Sequence, residues 1–350
     1  MKGESFPFTP QVHPDTGVSP RVLRVTDEKY TCNHLYFTSR AFTPDDKKLV
    51  FESDQDGGHN LFVLDFEKNE YMQLTEGKDL DYFPYVDRGG EKVFFGYKNH
   101  FYSVDLNTCE EKIIFDAVDL VGHDVFKVGG AYQSWDGKKV VTFFEADPDY
   151  GLIVTDLESG ESKIILRGDQ PVRHCQFCPH DNNLIVYAHE GNWEKIQARM
   201  WLVNADGTNN RRVRDHDDGL EEAVGHESWA NTEKKLFYKI RRKSDGKTFI
   251  ASFDIDANKE TVLTECPHNH GIATADDRYF VADWNGGPMH IVDLKTLEIQ
   301  TLCNPNMTWI KGKSRFHPHP TSSNKGDRIV YSTDAYGENP GVFVVEIPQS

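Results

Sequence analysis

No stretch of this 350-residue chain holds the roughly 20 consecutive apolar residues that a membrane-crossing helix needs. Its first residues, "MKGESFPFTPQVHPDTG", have no apolar core between a basic end and a small-residue cleavage site, so they do not read as a secretory signal. Cysteine is sparse, with six residues scattered at Cys32, Cys109, Cys175, Cys178, Cys266 and Cys303, which predicts no disulfide framework. These absences predict a soluble cytoplasmic protein. Positive charge is also short: 39 Lys and Arg stand against 56 Asp and Glu, a net charge of −17. That balance excludes a general nucleic-acid or anionic-membrane partner and disfavours long polyanions as substrates. Walker A, G-x-S-x-G and H-E-x-x-H motifs are missing, as is a G-x-G-x-x-G in the right context. Nucleotide chemistry, the serine hydrolase propellers and the zinc proteases are thereby disfavoured. Neither a Pro/Gly/Ser linker nor a long amphipathic helical pattern divides the chain.

What is present is a repeat. A polar turn, a short apolar strand, a loop and a second strand ending near an acidic residue recur at 42–65, 87–106, 134–157, 178–207, 230–256, 273–294 and 322–347. Seven copies of roughly 40–53 residues suit four short antiparallel strands each. Such units, stacked radially, predict an all-β fold, a seven-bladed β-propeller in one domain over 1–350, which protects its sheet edges by closing the circle. The segment "SPRVLRVTD" (19–27) is expected to supply the outer strand of the last blade and latch the ring.

Aligned on the polar turn, the repeats place Ser39, Phe83, Gly130, His174, His226, His270 and His319 in one column, three residues before Phe42 and its counterparts. Four successive blades thus offer histidine at a position on the innermost strand, at the mouth of the central channel. "KSRFHPHPTS" (313–322) adds His317, two residues before His319 and on the same strand face. One such histidine reads as a hydrogen-bonded polar plug, but packing alone gives no reason to repeat it in register. Three or more imidazoles around a void form a transition-metal site, better suited to Mn, Fe, Co, Ni or Zn than to Ca or Mg. "YAHEG" puts His189 and Glu190 at the same end of the fourth blade, and "ARMW" brings Arg199 near them, a side chain suited to gripping a carboxylate.

At these residues the sequence resembles the oligogalacturonate lyases, propeller enzymes of pectin breakdown. The matching segments are "YTCNHLYFTSRAFTPDDKKLVF", "AHEGNWEKIQARMWLVNADGTNNRRV", "GHESW", "NHGIAT" and "HPHP". The resemblance implies a divalent metal, manganese, held by His270, His317 and His319. It implies His226 as the proton-abstracting base and Arg199 as the catalytic arginine, with His189, His174 and His34 as substrate-binding candidates. It also implies β-elimination on a short uronic-acid oligosaccharide to a 4,5-unsaturated product. The family's metal-holding glutamine, three residues before the first histidine of "HPHP", is Ser314 here, leaving water, His174 or a substrate oxygen as the fourth ligand. His34 stands near a family arginine. Two other readings follow from these departures and from the fold: the same chemistry on another uronide, such as glucuronate beside rhamnose, or a non-catalytic TolB-like interaction propeller. The C-x-x-C of "HCQFCPH" reads as ordinary strand and turn, "DQDGGH" (54–59) as a hairpin tip, and Trp135, Trp229 and Trp284 as blade packing.

Overall fold

The computed structural model describes residues 2–13, 21–80, 83–192, 196, 198–214, 221–308, 317–337 and 339–348. Seven antiparallel sheets follow one another along the chain, each meandering outward from an inner strand. The inner strands are Cys32–His34, Tyr85–Val86, Lys127–Gln133, Val172–Phe177, Glu222–Trp229, Gly271–Ala273 and Thr321–Ser322. This is the expected seven-bladed propeller. One short helix, Ala117–Val121, is capped by Asp116, whose side chain accepts from the Val118 N–H, and stops at Gly122, where φ is 88°. No helix among the described residues is long and apolar enough to cross a membrane.

The amino-acid pattern explains the blades. The second strand of the third blade, Lys139–Glu145, reads KVVTFFE and is buried after its first residue. A short unbroken apolar run between turns is what a strand covered on both faces requires. The outermost strand of the same blade, Ser162–Gly168, reads SKIILRG and has no fully buried residue, its Ile164, Ile165 and Leu166 only half-buried against the core. In four blades the turn from the third strand to the outer one closes through an aspartate. The carboxylates of Asp65, Asp105, Asp156 and Asp293 accept the backbone N–H groups two and three residues on, at 2.8–3.1 Å. That is the local bonding for which aspartate is selected in turns. At 54–59 the chain makes the expected hairpin turn between Lys48–Ser53 and Asn60–Asp65.

Ring closure comes from both ends of the chain. Val22–Arg24 pairs antiparallel with Gly341–Glu346 in the last blade, Gln11–His13 adds outside it, and Ser5–Pro7 extends the first blade along Glu70–Gln73. Residues 19 and 20 lie outside the described residues. On the turn side, Asp46 of the first blade accepts the Asn324 and Lys325 N–H groups of the last at 2.8 and 2.9 Å. All six cysteines are buried and free, as the scattered spacing predicts. The tryptophans divide: Trp229 is buried, whereas Trp135 and Trp284 are 39 % and 36 % exposed. Trp135 follows the inner strand of the third blade and packs between Arg88 and His180 of the neighbouring blades, whereas Trp284 follows the second strand of the sixth.

Candidate metal centre and active site

The column of residues before the turn has a common backbone device. In the third, fourth and fifth blades the inner strand carries a β-bulge, between Gly129 and Tyr132, Arg173 and Gln176, and Gly225 and Ser228. In each, two residues oppose one, which bends the strand and re-aims a side chain. The first bulge residue is left-handed: Gly130 at φ 66°, His174 at 54° and His226 at 58°, and His319 in the last blade reaches 47°. For a residue with a Cβ that conformation costs about 1 kcal/mol or more. The fold tolerates it where it turns an imidazole toward the axis. At Gly130 a Cβ would stand 3.1 Å from the Phe143 ring and 3.3 Å from Cys175 Sγ, so the third blade has no room for a side chain there.

His270, His317 and His319 each offer a ring nitrogen, and these atoms lie within 4.8 Å of one another. Ring centroids are 4.1 Å apart for His270 and His319 and 5.2 Å for His270 and His317. Asp283, fully buried, organises the group. Its Oδ1 accepts the His270 backbone N–H at 2.7 Å, and its Oδ2 accepts His270 Nδ1–H at 3.0 Å and the His319 backbone N–H at 3.0 Å. That leaves His270 Nε2 with its lone pair, the arrangement by which a carboxylate orients a metal-binding histidine. Asn269 lies beside both rings, its amide nitrogen 3.3 Å from His317 Nδ1, and is itself held by Lys239 Nζ at 2.8 Å. Burial, reinforced by neighbouring imidazoles, pushes His317 down to about 4 and His319 well below the usual histidine range. Burial lowers His270 as well, though Asp283 opposes it. Neutral imidazoles are the donor form a cation needs, so the residues present fit a transition-metal ion.

His226 sits against this cluster, its ring centroid 4.2 Å from that of His270. Its Nδ1 is buried with no hydrogen-bond partner among the described residues. Burial, with the neighbouring His270, Lys239 and Arg199, holds it well below the ordinary histidine range. Arg199 is buried beside it, its guanidinium 2.9 Å from Glu190 and 3.5 Å from Glu227. Gly225 makes the room: a Cβ there would stand 3.1 Å from Arg199 Nε. His174 reaches the same Glu190 oxygen at 3.1 Å. Burial works against the Glu190 charge, but His174 and Arg199 outweigh it and bring the carboxyl down to about 2.

Other expected residues fall elsewhere. His34 is not open to a substrate: Nδ1 meets Ser332 Oγ at 2.8 Å and Nε2 meets the His319 carbonyl, so it supports His319 from below. Burial brings it down to about 4. His189 stacks 5.0 Å from Trp201 and lines a groove of about 440 Å³ with Glu190 and Arg212, adjacent to the imidazole cluster rather than within it. His174, bound to Glu190, stands apart from the triad, and Ser314 lies outside the described residues.

Sequence reasoning missed Asp283, Lys239, Asn269, Glu227 and the pair Tyr36–Phe37. The chain leaves the first blade after His34 and rejoins it at the Phe42–Leu49 bridge, with a turn closed by the Ser39 N–H on the Tyr36 carbonyl at 2.7 Å. Tyr36 thereby packs on His174 and His319 at 5.4 and 4.9 Å, and Phe37 on His226 and His270 at 6.3 and 5.4 Å. One available signal was a charged residue directly after an apolar run, as in "LFYK" and "YFVAD".

Fold and site define a propeller enzyme whose axis is closed by an aromatic finger and lined by imidazoles able to grip one cation. The family model for oligogalacturonate lyase matches residues 1–350, and the chain belongs to that family. It is 28 % identical to the oligogalacturonide lyase of Pectobacterium atrosepticum over 388 residues, covering 100 % of this chain and 99 % of that protein. It is likewise 28 % identical to the oligogalacturonate lyase of Dickeya dadantii over 386 residues, with 100 % and 99 % covered. Among solved structures, an oligogalacturonate lyase in complex with manganese superposes with a TM-score of 0.90 at 26 % identity, covering 99 % of this chain and 98 % of that one. A second, from Vibrio parahaemolyticus, gives 0.90 at 25 % identity, covering 100 % and 99 %.

Proposed function

We propose that the chain cleaves short oligogalacturonates by β-elimination, with His226 as base and His270, His317 and His319 holding a manganese ion. The observation that carries this is the neutral, partner-free His226 nitrogen beside three imidazoles within 4.8 Å of one another. The C5 proton of a uronate is weakly acidic, because the adjacent carboxylate resists a carbanion. Bound at the triad, a divalent cation supplies Lewis-acid relief of the charge that builds on that carboxylate.

The protein's own groups do the rest. His226 accepts the C5 proton, general-base assistance of roughly 10²–10⁴-fold. Its basicity is depressed without substrate by burial and cationic neighbours. An incoming carboxylate offsets both and draws the imidazole back toward a useful range. Arg199 already donates to Glu190 and is ion-paired with Glu227 at 3.5 Å, so its part is to steady charge near the leaving C4 oxygen rather than to clamp a second carboxylate. His189, with Trp201 and Arg212, offers the groove in which neighbouring sugars lie, and His174 keeps Glu190 in place. His34 acts through the His319 backbone. Asp283 keeps His270 in the tautomer that presents Nε2. A cytoplasmic setting accompanies this reading, supported by six free thiols.

The test is the ultraviolet absorbance of the conjugated product on a panel of uronide oligomers, with and without chelator. Wild type is expected to act on digalacturonate and trigalacturonate and to stop with chelator. His226→Ala should lose turnover but keep manganese, and His317→Ala should lose both. Full turnover in His226→Ala would overturn the base assignment, and activity confined to glucuronate–rhamnose linkages would move the substrate.

A further inference from the structure

The histidines occupy the first part of the inner strands, and a separate cavity opens at the other end of the same strands. It measures about 160 Å³ and takes residues from all seven blades, among them Arg40, Arg88, Trp135, Gln176, Asn231 and Asn324. At about 10–15 Å³ per water it holds on the order of ten water-sized groups, the scale of one sugar acid or a hydrated oxyanion. None of the site histidines lines it, and the Tyr36–Phe37 finger stands between.

Among the described residues no aspartate or glutamate lines this cavity, although acids outnumber bases 56 to 39 in the chain. Most polar side chains there are committed to backbone. Gln176 Nε2 donates to the Glu227 carbonyl at 3.0 Å, Asn231 Nδ2 to the Thr274 carbonyl at 3.0 Å and to Asp277 Oδ1 at 3.4 Å, and Asn324 Nδ2 to the Thr43 carbonyl at 2.9 Å and to Asp46 Oδ1 at 2.7 Å. The two arginines lack a carboxylate partner among the described residues. Arg88 donates Nε–H to the Ser134 carbonyl at 2.8 Å and lies over Trp135 at 4.4 Å, but it has no carboxylate partner among the described residues. Arg40 lines the cavity, and its side chain has neither an ion pair nor a hydrogen bond among them. Asp136, the acid that most eases Arg88, is tied to Ser134 Oγ at 2.7 Å and the Lys138 N–H at 3.1 Å. Burial and the charge of Arg40 both disfavour the Arg88 cation, against Tyr85 and Asp136, and a bound anion would offset both. Planar forks of this kind match carboxylate and oxyanion geometry.

We propose that the far end of the axial channel is a second, non-catalytic binding site for a small anion, held by Arg40 and Arg88. It takes a carboxylate or inorganic oxyanion, and it is independent of the lyase reading. The test is calorimetric titration of the His317→Ala protein, which removes the metal centre as a competing anion site, with galacturonate, inorganic phosphate and neutral galactose in separate arms. Tryptophan fluorescence is followed in parallel, since Trp135 lies under Arg88. Saturable binding of galacturonate or phosphate, but not galactose, is expected, weakened about tenfold or more by Arg40→Ala and by Arg88→Gln, as loss of a charged hydrogen bond implies. Galacturonate alone would identify a sugar-acid site, and phosphate alone an oxyanion site. Arg40→Ala touches no internal hydrogen bond, so its fold should be retained, checked by circular dichroism. Absence of saturable binding by either anion, or binding unchanged in Arg40→Ala, would overturn the proposal.

Discussion

Asp283→Asn tests whether the second layer around the imidazoles is as decisive as its geometry implies. The carboxylate accepts three N–H groups with two oxygens, two of them on Oδ2. Asparagine keeps one oxygen. If that oxygen stays on the His270 and His319 donors, the amide nitrogen faces the His270 backbone N–H, leaving two buried donors opposed at about 1–3 kcal/mol. If the amide turns round, its nitrogen faces His270 Nδ1, which must then accept; the ring proton moves to Nε2 and the lone pair that would bind a cation is lost. Either way the cation site weakens, and outer-layer changes of this kind cost about 10–100-fold in metal affinity, or about 1.4–2.7 kcal/mol. Manganese titration by calorimetry measures it directly. Because His270 itself remains, raising manganese should restore much of kcat, so the defect appears in the metal concentration needed. An Asp283→Asn protein that binds manganese within twofold of wild type would refute the reasoning, for then the carboxylate neither sets the tautomer nor aims the ring.

Two further outcomes follow from buried charge. Arg199→Met leaves Glu227, 2 % exposed, without its cation, a loss of about 3–5 kcal/mol. At roughly 2.1 cal/mol/K per residue of unfolding entropy that is a fall of about 5 °C in Tm, and Arg199→Lys should lose turnover with a smaller fall; equal Tm values for wild type and Arg199→Met would remove Glu227 from the account. Acid should weaken the metal-free protein between pH 6.5 and 4. Burial brings His34 and His268 each down to about 4, against the opposing pull of the His319 and Cys266 carbonyls. The unfolded chain takes up protons near pH 6.5 and the folded one only near 4, so stability present above pH 6.5 is lost as pH falls, by at most about 3 kcal/mol per histidine. His34→Asn should flatten the Tm–pH curve over that window, and an unchanged slope would count against His34.

Arg199 and the bulged histidines show how the site depends on glycine and on strain. Gly225 is the residue opposite Lys239 in the fifth blade, and only its missing Cβ lets the Arg199 guanidinium approach. An alanine there would push the arginine from between its two glutamates. The neighbouring left-handed His226 belongs to the same bulge, so this histidine, the proposed base, and the arginine are positioned by one local irregularity rather than by separate elements.

Seven polar turns followed by apolar runs were enough to specify a seven-bladed propeller, because each middle strand must bury both faces and each turn requires residues that bond their own backbone. The histidine column was legible for a related reason: a repeat keeps equivalent positions equivalent, so His174, His226, His270 and His319 align before any coordinates exist. Only the tertiary structure showed that His174 serves Glu190, that His34 supports a backbone from beneath, and that Asp283 governs the triad. It also showed Tyr36 and Phe37 packed on the histidines of four blades, and two arginines lining one cavity. Periodicity reports which face of a strand a side chain occupies, but the distance between side chains on different blades depends on bulges and on a loop that leaves the sheet. Those departures from the repeat are where position in sequence stops predicting position in space.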